Sequence, residues 1–165
     1  MTTWRVPRYL FLVLMLAVPV QGCGSDSTGP DVTYVNIAGT YAGTITATTQ
    51  YNGAIVYLNS DFSMILNQNG SNLSGTDSGN GTISDGFGNS IAIGGTNNIT
   101  GTVGSGSNPS VTVTEQNLDC PNQNDTWHLQ YANRLITGTM QISIFDNSCS
   151  TVMTFSNISV ALRAP

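Results

Sequence analysis

The sequence contains no lysine, and only 8% of its 165 residues are charged, where about 25% is usual for a globular domain. Four arginines stand against nine acidic residues, so the formal net charge is −5 at pH 7. Nucleic acids are bound by clusters of positive side chains, which are missing here. The length predicts one domain, and the charge excludes nucleic acid as its partner.

Histidine is equally scarce, since His128 is the only one. It lies in an alternating segment where Trp127 and Tyr131 share one face, so we expect His128 on the opposite face, toward solvent. Phosphate-binding loops, paired zinc histidines and a dinucleotide fingerprint are also missing from the sequence. We therefore predict a protein that is not an enzyme, with no catalytic residues, no metal ligands and no cofactor.

The acidic residues leave two questions open. Residues 77–81 and 85–89 combine Asp, Asn and Gly as calcium loops do, but both lack a closing Glu. Asp and Asn beside Gly are more typical of turns, which is the interpretation that we prefer. Strands can also bring distant carboxylates together, as in glycosidases, and sequence spacing neither favours nor excludes such a pair.

No apolar run is long enough to span a membrane. The run from Tyr9 to Val20 contains Pro19 and covers about 12 residues, whereas a spanning helix needs about 20. It follows Arg5 and Arg8, so residues 1–22 have the charged and apolar regions of a helical signal peptide. This segment predicts export.

The end of that segment, Val20-Gln21-Gly22-Cys23, resembles the lipobox of bacterial lipoproteins. The resemblance implies cleavage before Cys23 and acyl chains on Cys23. Residues 24–30 contain no large apolar side chain, which predicts a flexible tether over residues 23–35 before a domain at 36–165. Two acyl chains hold a protein stably on a bilayer. The protein would then be lipid-anchored in the cell envelope, and Gly24 fits sorting to the outer membrane in a Gram-negative host. The alternative is an ordinary secretory cut that leaves Cys23 free.

Processing would leave two cysteines besides Cys23 and a mature chain with a formal charge of −7, since two of the four arginines lie in residues 1–22. An exported compartment permits a disulfide between Cys120 and Cys149. It would close a loop of about 30 residues and contribute about 3 to 4 kcal/mol on the chain-entropy model. The competing interpretation is a metal pair, but two thiolates are an incomplete zinc set.

From Val35 onward, aliphatic and aromatic residues alternate with Thr, Ser and Asn, which predicts half-buried strands. Ile37, Tyr41 and Ile45 share one face of the first strand. Some segments are short, such as 54–58 and 62–68, and eight to ten strands remain once the shortest are merged or dropped. Frequent turn signals between them predict an antiparallel meander that closes into a small β-barrel, with a β-sandwich as the alternative.

A short pattern of aliphatic residue, small residue, Gly and Thr recurs at residues 37–40, 73–76, 99–102 and 136–139. Glycine in such strands allows the close backbone approach that a small closing sheet requires. Together with Gly39-Thr40-Tyr41, the pattern resembles small exported lipocalin-like and avidin-like barrels. The resemblance implies that Arg163 closes the barrel through a cation–π contact with Tyr41.

Two functions follow from a barrel or a sandwich of this kind. A barrel can hold a small apolar or amphipathic ligand or fill its interior with side chains. The candidate lining residues are large and inward-facing, and they fit a packed core equally well: Tyr41, Phe62, Met64, Trp127, Tyr131 and Phe155. A sandwich would favour an envelope module that binds protein or glycan through polar loops such as 104–108 and 119–125.

Overall fold

The computed structural model describes residues 32–165, which form one closed antiparallel β-barrel. Its eight strands are β1 (Gly39–Tyr51), β2 (Ala54–Asn69), β3 (Asn72–Ser84), β4 (Ser90–Val103), β5 (Ser110–Gln116), β6 (Asn124–Ala132), β7 (Leu135–Phe145) and β8 (Thr151–Arg163). Each strand pairs with the next, and β1 pairs with β8 to close the sheet. The predicted meander barrel is confirmed, and the sandwich is wrong because a single sheet closes on itself. The signal peptide, Cys23 and most of the tether lie outside the described residues.

Three strands are longer than the sequence patterns predicted. Segments 54–58 and 62–68 are both parts of β2, whose alternating burial continues through the inward-facing Ser60. In the same way β3 continues through Asp77, and β4 continues through Asn97. The apolar alternation is interrupted at these positions because the inward residue there is polar, while the backbone pairing continues without a break.

The two ends of the barrel differ. The closed end carries the turns at 70–71, 104–109 and 133–134, and the open end carries the turns at 52–53, 85–89, 117–123 and 146–150. The segment before β1 crosses the closed end, where Ile37 is fully buried and its amide donates to Gln68 Oε1 at 2.7 Å. Tyr34 bridges to Gly106, so the barrel domain includes the last residues of the predicted tether.

Alternating inward residues form one apolar core. Ile37, Tyr41 and Ile45 are all buried, which confirms their predicted shared face, and His128 is exposed as expected. Edge-to-face contacts join Tyr41 to Tyr131 and Phe62 to Trp127, with ring centroids 6.3 and 5.7 Å apart. The closed sheet and its apolar core belong to one compact unit, residues 32–165.

Glycines in the recurring pattern let neighbouring strands approach closely. A methyl group at Gly75 would collide with the backbone carbonyl of Ile65, and one at Gly101 would collide with the carbonyl of Thr112. Both glycines face the barrel interior, and each stands where an adjacent strand lies too close for a side chain. The predicted role of these glycines is confirmed at both positions.

The disulfide between Cys120 and Cys149 is present and joins two turns of the open end, at 117–123 and 146–150. The Cα atoms are 5.4 Å apart, and the two residues are separated by 29 positions in sequence. Gln123 Nε2 also donates to the carbonyl of Cys149 at 3.2 Å. The predicted bridge is confirmed, and it fixes one side of the open end.

Candidate functional site

A cavity of about 840 Å³ occupies the open end of the barrel. One wall is apolar, with Ile45, Leu58 and Phe62 from β1 and β2. The rim includes the disulfide-linked turns at 117–123 and 146–150. Cavities that bind small molecules have volumes of about 300 to 1,000 Å³. The space therefore has the size and the partly apolar lining of a small-molecule site.

A second wall of this cavity is polar. The successive strands β3, β4 and β5 each contribute one inward polar side chain to it, namely Asp77, Asn97 and Glu115. Asn97 Nδ2 donates to Glu115 Oε1 and, at 3.4 Å, to Asp77 Oδ1, while Asn97 Oδ1 accepts from the amide of Leu118 at 3.4 Å. One amide thus bridges two carboxyl groups, which we name the acid pair, Asp77 and Glu115.

Asp125, the neighbour of Glu115 across β5 and β6, is buried and fully hydrogen-bonded. Its carboxylate accepts from Gln141 Nε2 at 2.7 Å, from the Ser143 amide at 2.8 Å and from Ser143 Oγ at 2.9 Å. A carboxylate with three donors has its hydrogen-bonding capacity largely met by the protein. Asp125 therefore ties β6 to β7 and offers little to a ligand.

Asp77 differs from Asp125 because one of its oxygens has no partner. Its side chain is only 3% exposed, and Oδ2 accepts no hydrogen bond in the described part of the chain. Burial raises the pKa of Asp77 to about 7. Burial, together with the nearby negative charges of Asp77 and Asp125, raises the pKa of Glu115 to about 8. The acid pair therefore holds protons near neutral pH.

Of the six predicted ligand-lining residues, Phe62 lines this cavity. Four others are buried in the apolar core and are not part of the cavity lining: Tyr41, Met64, Trp127 and Phe155. Tyr131 is half-buried and packs against the same core. These five residues therefore belong to the packed core, which was the alternative that the sequence left open.

Arg163 stands at the closure of the barrel, where it is the backbone partner of Ala42. Its side chain is exposed, whereas Tyr41 faces inward and donates its phenol hydrogen to the carbonyl of Ile37 at 2.9 Å. The two side chains thus point to opposite faces of the sheet. Burial and the neighbouring Tyr131 raise the pKa of Tyr41 to about 12, against the positive charge of Arg134.

Sequence reasoning missed the acid pair. The turn predicted at residues 77–81 is wrong, because these residues continue β3. The turn predicted at 85–89 is confirmed, since Asp85 accepts from the amides of Phe87 and Asn89. The signal that could have found the acid pair is the two-residue period of a strand. Asp77 lies four residues after the buried Leu73, and Glu115 lies two residues after the buried Val113, so both side chains are placed on the inward face.

A second, shallower depression of about 550 Å³ lies on the outer face of β1, β2 and β3. Its carboxylate, Asp61, accepts from Thr44 Oγ1 at 3.2 Å. Of the two spaces, the open-end cavity alone combines an apolar wall with a buried carboxyl oxygen that has no partner in the described residues.

Comparisons with protein-family models, with curated proteins and with solved structures found no significant match. No helix within residues 32–165 is long and apolar enough to cross a membrane. In that same part of the chain, no group of three or more His, Cys, Asp or Glu side chains is arranged to hold a metal ion. The fold and the cavity define the chain as a small eight-stranded barrel with an open interior site.

Proposed function

We propose that the protein is a non-catalytic binding protein that holds a small amphipathic ligand in the open-end cavity, anchored in the bacterial cell envelope by acyl chains on Cys23. The observation that carries the proposal is the cavity of about 840 Å³ beside a core that is otherwise filled. Small barrels either fill their interiors with side chains or keep room for one ligand. This barrel fills one end and keeps room at the other.

The two walls fit an amphipathic molecule. Ile45, Leu58 and Phe62 offer apolar contact on one side, and the acid pair offers polar contact on the other. Ligand sites in proteins commonly have mostly apolar linings with a few placed polar groups that fix orientation. The disulfide at the rim supports export, because such bridges persist in oxidising compartments.

Blocking the cavity tests the binding proposal. Gly95 lines the cavity, and a Cβ added there meets no atom within 4 Å. Gly95→Phe should therefore place a ring in the open space without disturbing the wall. Thr100→Phe, on the outward face of the same strand, is the matched control.

The measurement uses the barrel chain, residues 24–165, purified with its disulfide oxidised. Native mass spectrometry should show a co-purifying small molecule that denaturation releases, and the neutral probe N-phenyl-1-naphthylamine should fluoresce on binding. Both signals should persist in Thr100→Phe and disappear in Gly95→Phe. Absence of both signals from the unsubstituted chain, or their survival in Gly95→Phe, contradicts the proposal.

The anchor is tested separately with the full chain in a bacterial host. Mass spectrometry of the membrane fraction should find a mature N-terminal peptide that begins at Cys23 and carries two or three acyl chains. Cys23→Ser should lack this lipid mass. A mature chain that begins at another residue would remove the anchoring proposal and leave the cavity proposal standing.

A further inference from the structure

We infer that the open-end cavity selects ligands that carry a protonated amine, which donates hydrogen bonds to the free oxygen of Asp77. This inference rests on the proposed function and specifies its ligand class.

The first support is the unpartnered oxygen itself. Asp77 is almost fully buried and lines the cavity, and its Oδ2 accepts no hydrogen bond in the described residues. A buried carboxylate without donors is costly, so nearly all such groups in native proteins are paired. Asn97 donates a hydrogen bond to Asp77 Oδ1 and not to Oδ2. A ligand that brings donors to Oδ2 would remove the cost.

The second support is the sign of the charge around the cavity. Four charged residues line it, and all are acidic: Asp77, Glu115, Asp119 and Asp146. The arginines of the described chain, Arg134 and Arg163, lie at the closed end, and the sequence has no lysine to offset the acids. A cavity lined by one sign of charge concentrates counter-ions of the other sign. Cations are therefore favoured here and anions are repelled, most strongly at pH values at which the acid pair has lost its protons.

The donors and acceptors present favour an ammonium group over a metal ion. Asn97 turns its N–H donors, rather than its oxygen, toward the acid pair. Calcium binds six to eight oxygen ligands, whereas a primary ammonium has three N–H donors. Those donors match Asp77 Oδ2 and the other oxygen acceptors that line the cavity, among them the hydroxyl oxygen of Ser60. The apolar wall of Ile45, Leu58 and Phe62 would contact the rest of the ligand.

Proton exchange should accompany binding. Burial keeps protons on the acid pair near neutral pH, with pKa values of about 7 for Asp77 and about 8 for Glu115. The other titratable groups that face the pair are also acidic, namely Asp125 on β6 and the rim residues Asp119 and Asp146. A bound ammonium group favours the charged carboxylate, so binding should release protons. Affinity should therefore rise with pH until the pair is ionised.

Three indole compounds of similar size separate charge from shape: tryptamine is cationic, tryptophol is neutral and indole-3-propionate is anionic. Each is titrated into the barrel chain at pH 8 by isothermal calorimetry. Hydrogen bonds to charged groups are stronger than those between neutral groups, and tenfold in affinity corresponds to about 1.4 kcal/mol. Tryptamine should therefore bind at least about tenfold more tightly than tryptophol, and indole-3-propionate should bind weakest.

Variants locate the effect. Asp77→Asn keeps the shape of the side chain and should weaken tryptamine about tenfold, with tryptophol unchanged. Glu115→Gln should weaken tryptamine less, since the buried carboxyl oxygen without a partner in the described residues belongs to Asp77. Asp61→Asn makes the same change in net charge on the outer face and should have no effect. Titrations in buffers of different ionisation enthalpy should show proton release that Asp77→Asn reduces.

The outcomes distinguish this inference from the proposed function. Equal binding of tryptamine and tryptophol, or an unchanged affinity in Asp77→Asn, overturns amine selection and leaves a neutral amphipathic ligand in the cavity. Failure of tryptamine to bind while N-phenyl-1-naphthylamine occupies the cavity has the same meaning. If the unsubstituted chain binds calcium and Asp77→Asn abolishes that binding, the cavity is a metal site and the inference is overturned. The proposed function fails when the cavity takes up no probe, or when Gly95→Phe leaves probe binding intact.

Discussion

The two halves of the barrel use the same strands for different purposes. Toward the closed end, β3 and β4 turn the apolar side chains of Leu73 and Ile99 inward, and these are buried in the core. Toward the open end, the inward positions of the same strands hold Asp77, Asn97 and Gly95, which line the cavity. The backbones of β3 and β4 pair without a break through both halves. Along these two strands, the size and polarity of the inward side chains therefore distinguish the filled half from the hollow half.

The halves also differ in what burial does to stability. In the filled half, buried apolar groups stabilise the fold because they leave water. In the hollow half, buried carboxyl groups oppose folding when they ionise, because the charged form is poorly solvated there. Residues that lower stability are commonly found at functional sites. The acid pair fits this description, whereas Asp125, with its three donors, does not.

Truncating the filled half should have the largest effect. Trp127 is 1% exposed, packs edge-to-face on Phe62 and donates Nε1–H to the carbonyl of Gln141 at 3.0 Å. Trp127→Ala should lower the free energy of unfolding by about 3 to 5 kcal/mol, measured by urea unfolding of the barrel chain. Thr126→Ala, exposed on the outer face, should change it by less than about 0.5 kcal/mol. Similar effects of the two substitutions would contradict a packed core here.

The disulfide should have the next largest effect, because it holds the rim of the hollow half. Replacing Cys120 and Cys149 with Ala removes a link between residues 29 positions apart. The loss should be about 3 to 4 kcal/mol on the chain-entropy model. Reducing agent should bring the unsubstituted chain to the same urea midpoint as the double variant. An unchanged midpoint in both cases would show that the rim holds without the bridge.

The acid pair should make stability depend on pH. The pKa is raised from 3.8 to about 7 at Asp77 and from 4.5 to about 8 at Glu115. A raised pKa means that the stability contribution is complete below about pH 4 and is lost as the pH rises toward 8. The free energy of unfolding should therefore fall as the pH rises from about 5 to about 8.

The double variant Asp77→Asn and Glu115→Gln should remove most of that slope. The exposed Asp85 and Asp146 have lowered pKa values. Their titration therefore changes the free energy of unfolding at more acidic pH and does not contribute between about pH 5 and pH 8. Urea unfolding at each pH provides the measurement. If the unfolding free energy of the double variant still falls between pH 5 and pH 8, the groups that titrate in this range lie outside the hollow half.

The smallest effect is a gain in stability. At about pH 8, Asp77→Asn replaces an ionised, buried carboxylate that has one oxygen without a partner in the described residues by a neutral group of the same shape, and should stabilise the chain by about 1 kcal/mol. The thermal midpoint should rise at pH 8 and stay constant at pH 5. Asp61→Asn should change neither value. A lower midpoint at pH 8 would mean that the ionised Asp77 stabilises the fold.

Sequence patterns predicted the filled half well and the hollow half poorly. Alternation assigned Ile37 and Tyr41 to the interior, and the repeated Gly-Thr pattern marked the close approach at Gly75, because apolar burial and tight packing restrict residue type. The cavity required Ser60 and Asp77 to be read as inward residues of long strands. A polar residue in an alternating segment is also typical of a turn or a strand end, and only the pairing register separates these cases.

A titration of the ¹⁵N-labelled barrel chain with tryptamine, followed by nuclear magnetic resonance, compares both halves in one experiment. The side-chain amide signals of Asn97 and the backbone signals around Gly95 and Glu115 should shift in a saturable manner, because these groups line the cavity. Signals of the closed end, such as those of Ile136 and Val111, should stay in place. Shifts confined to the outer face near Asp61, or spread equally over both ends, would contradict a ligand site in the hollow half.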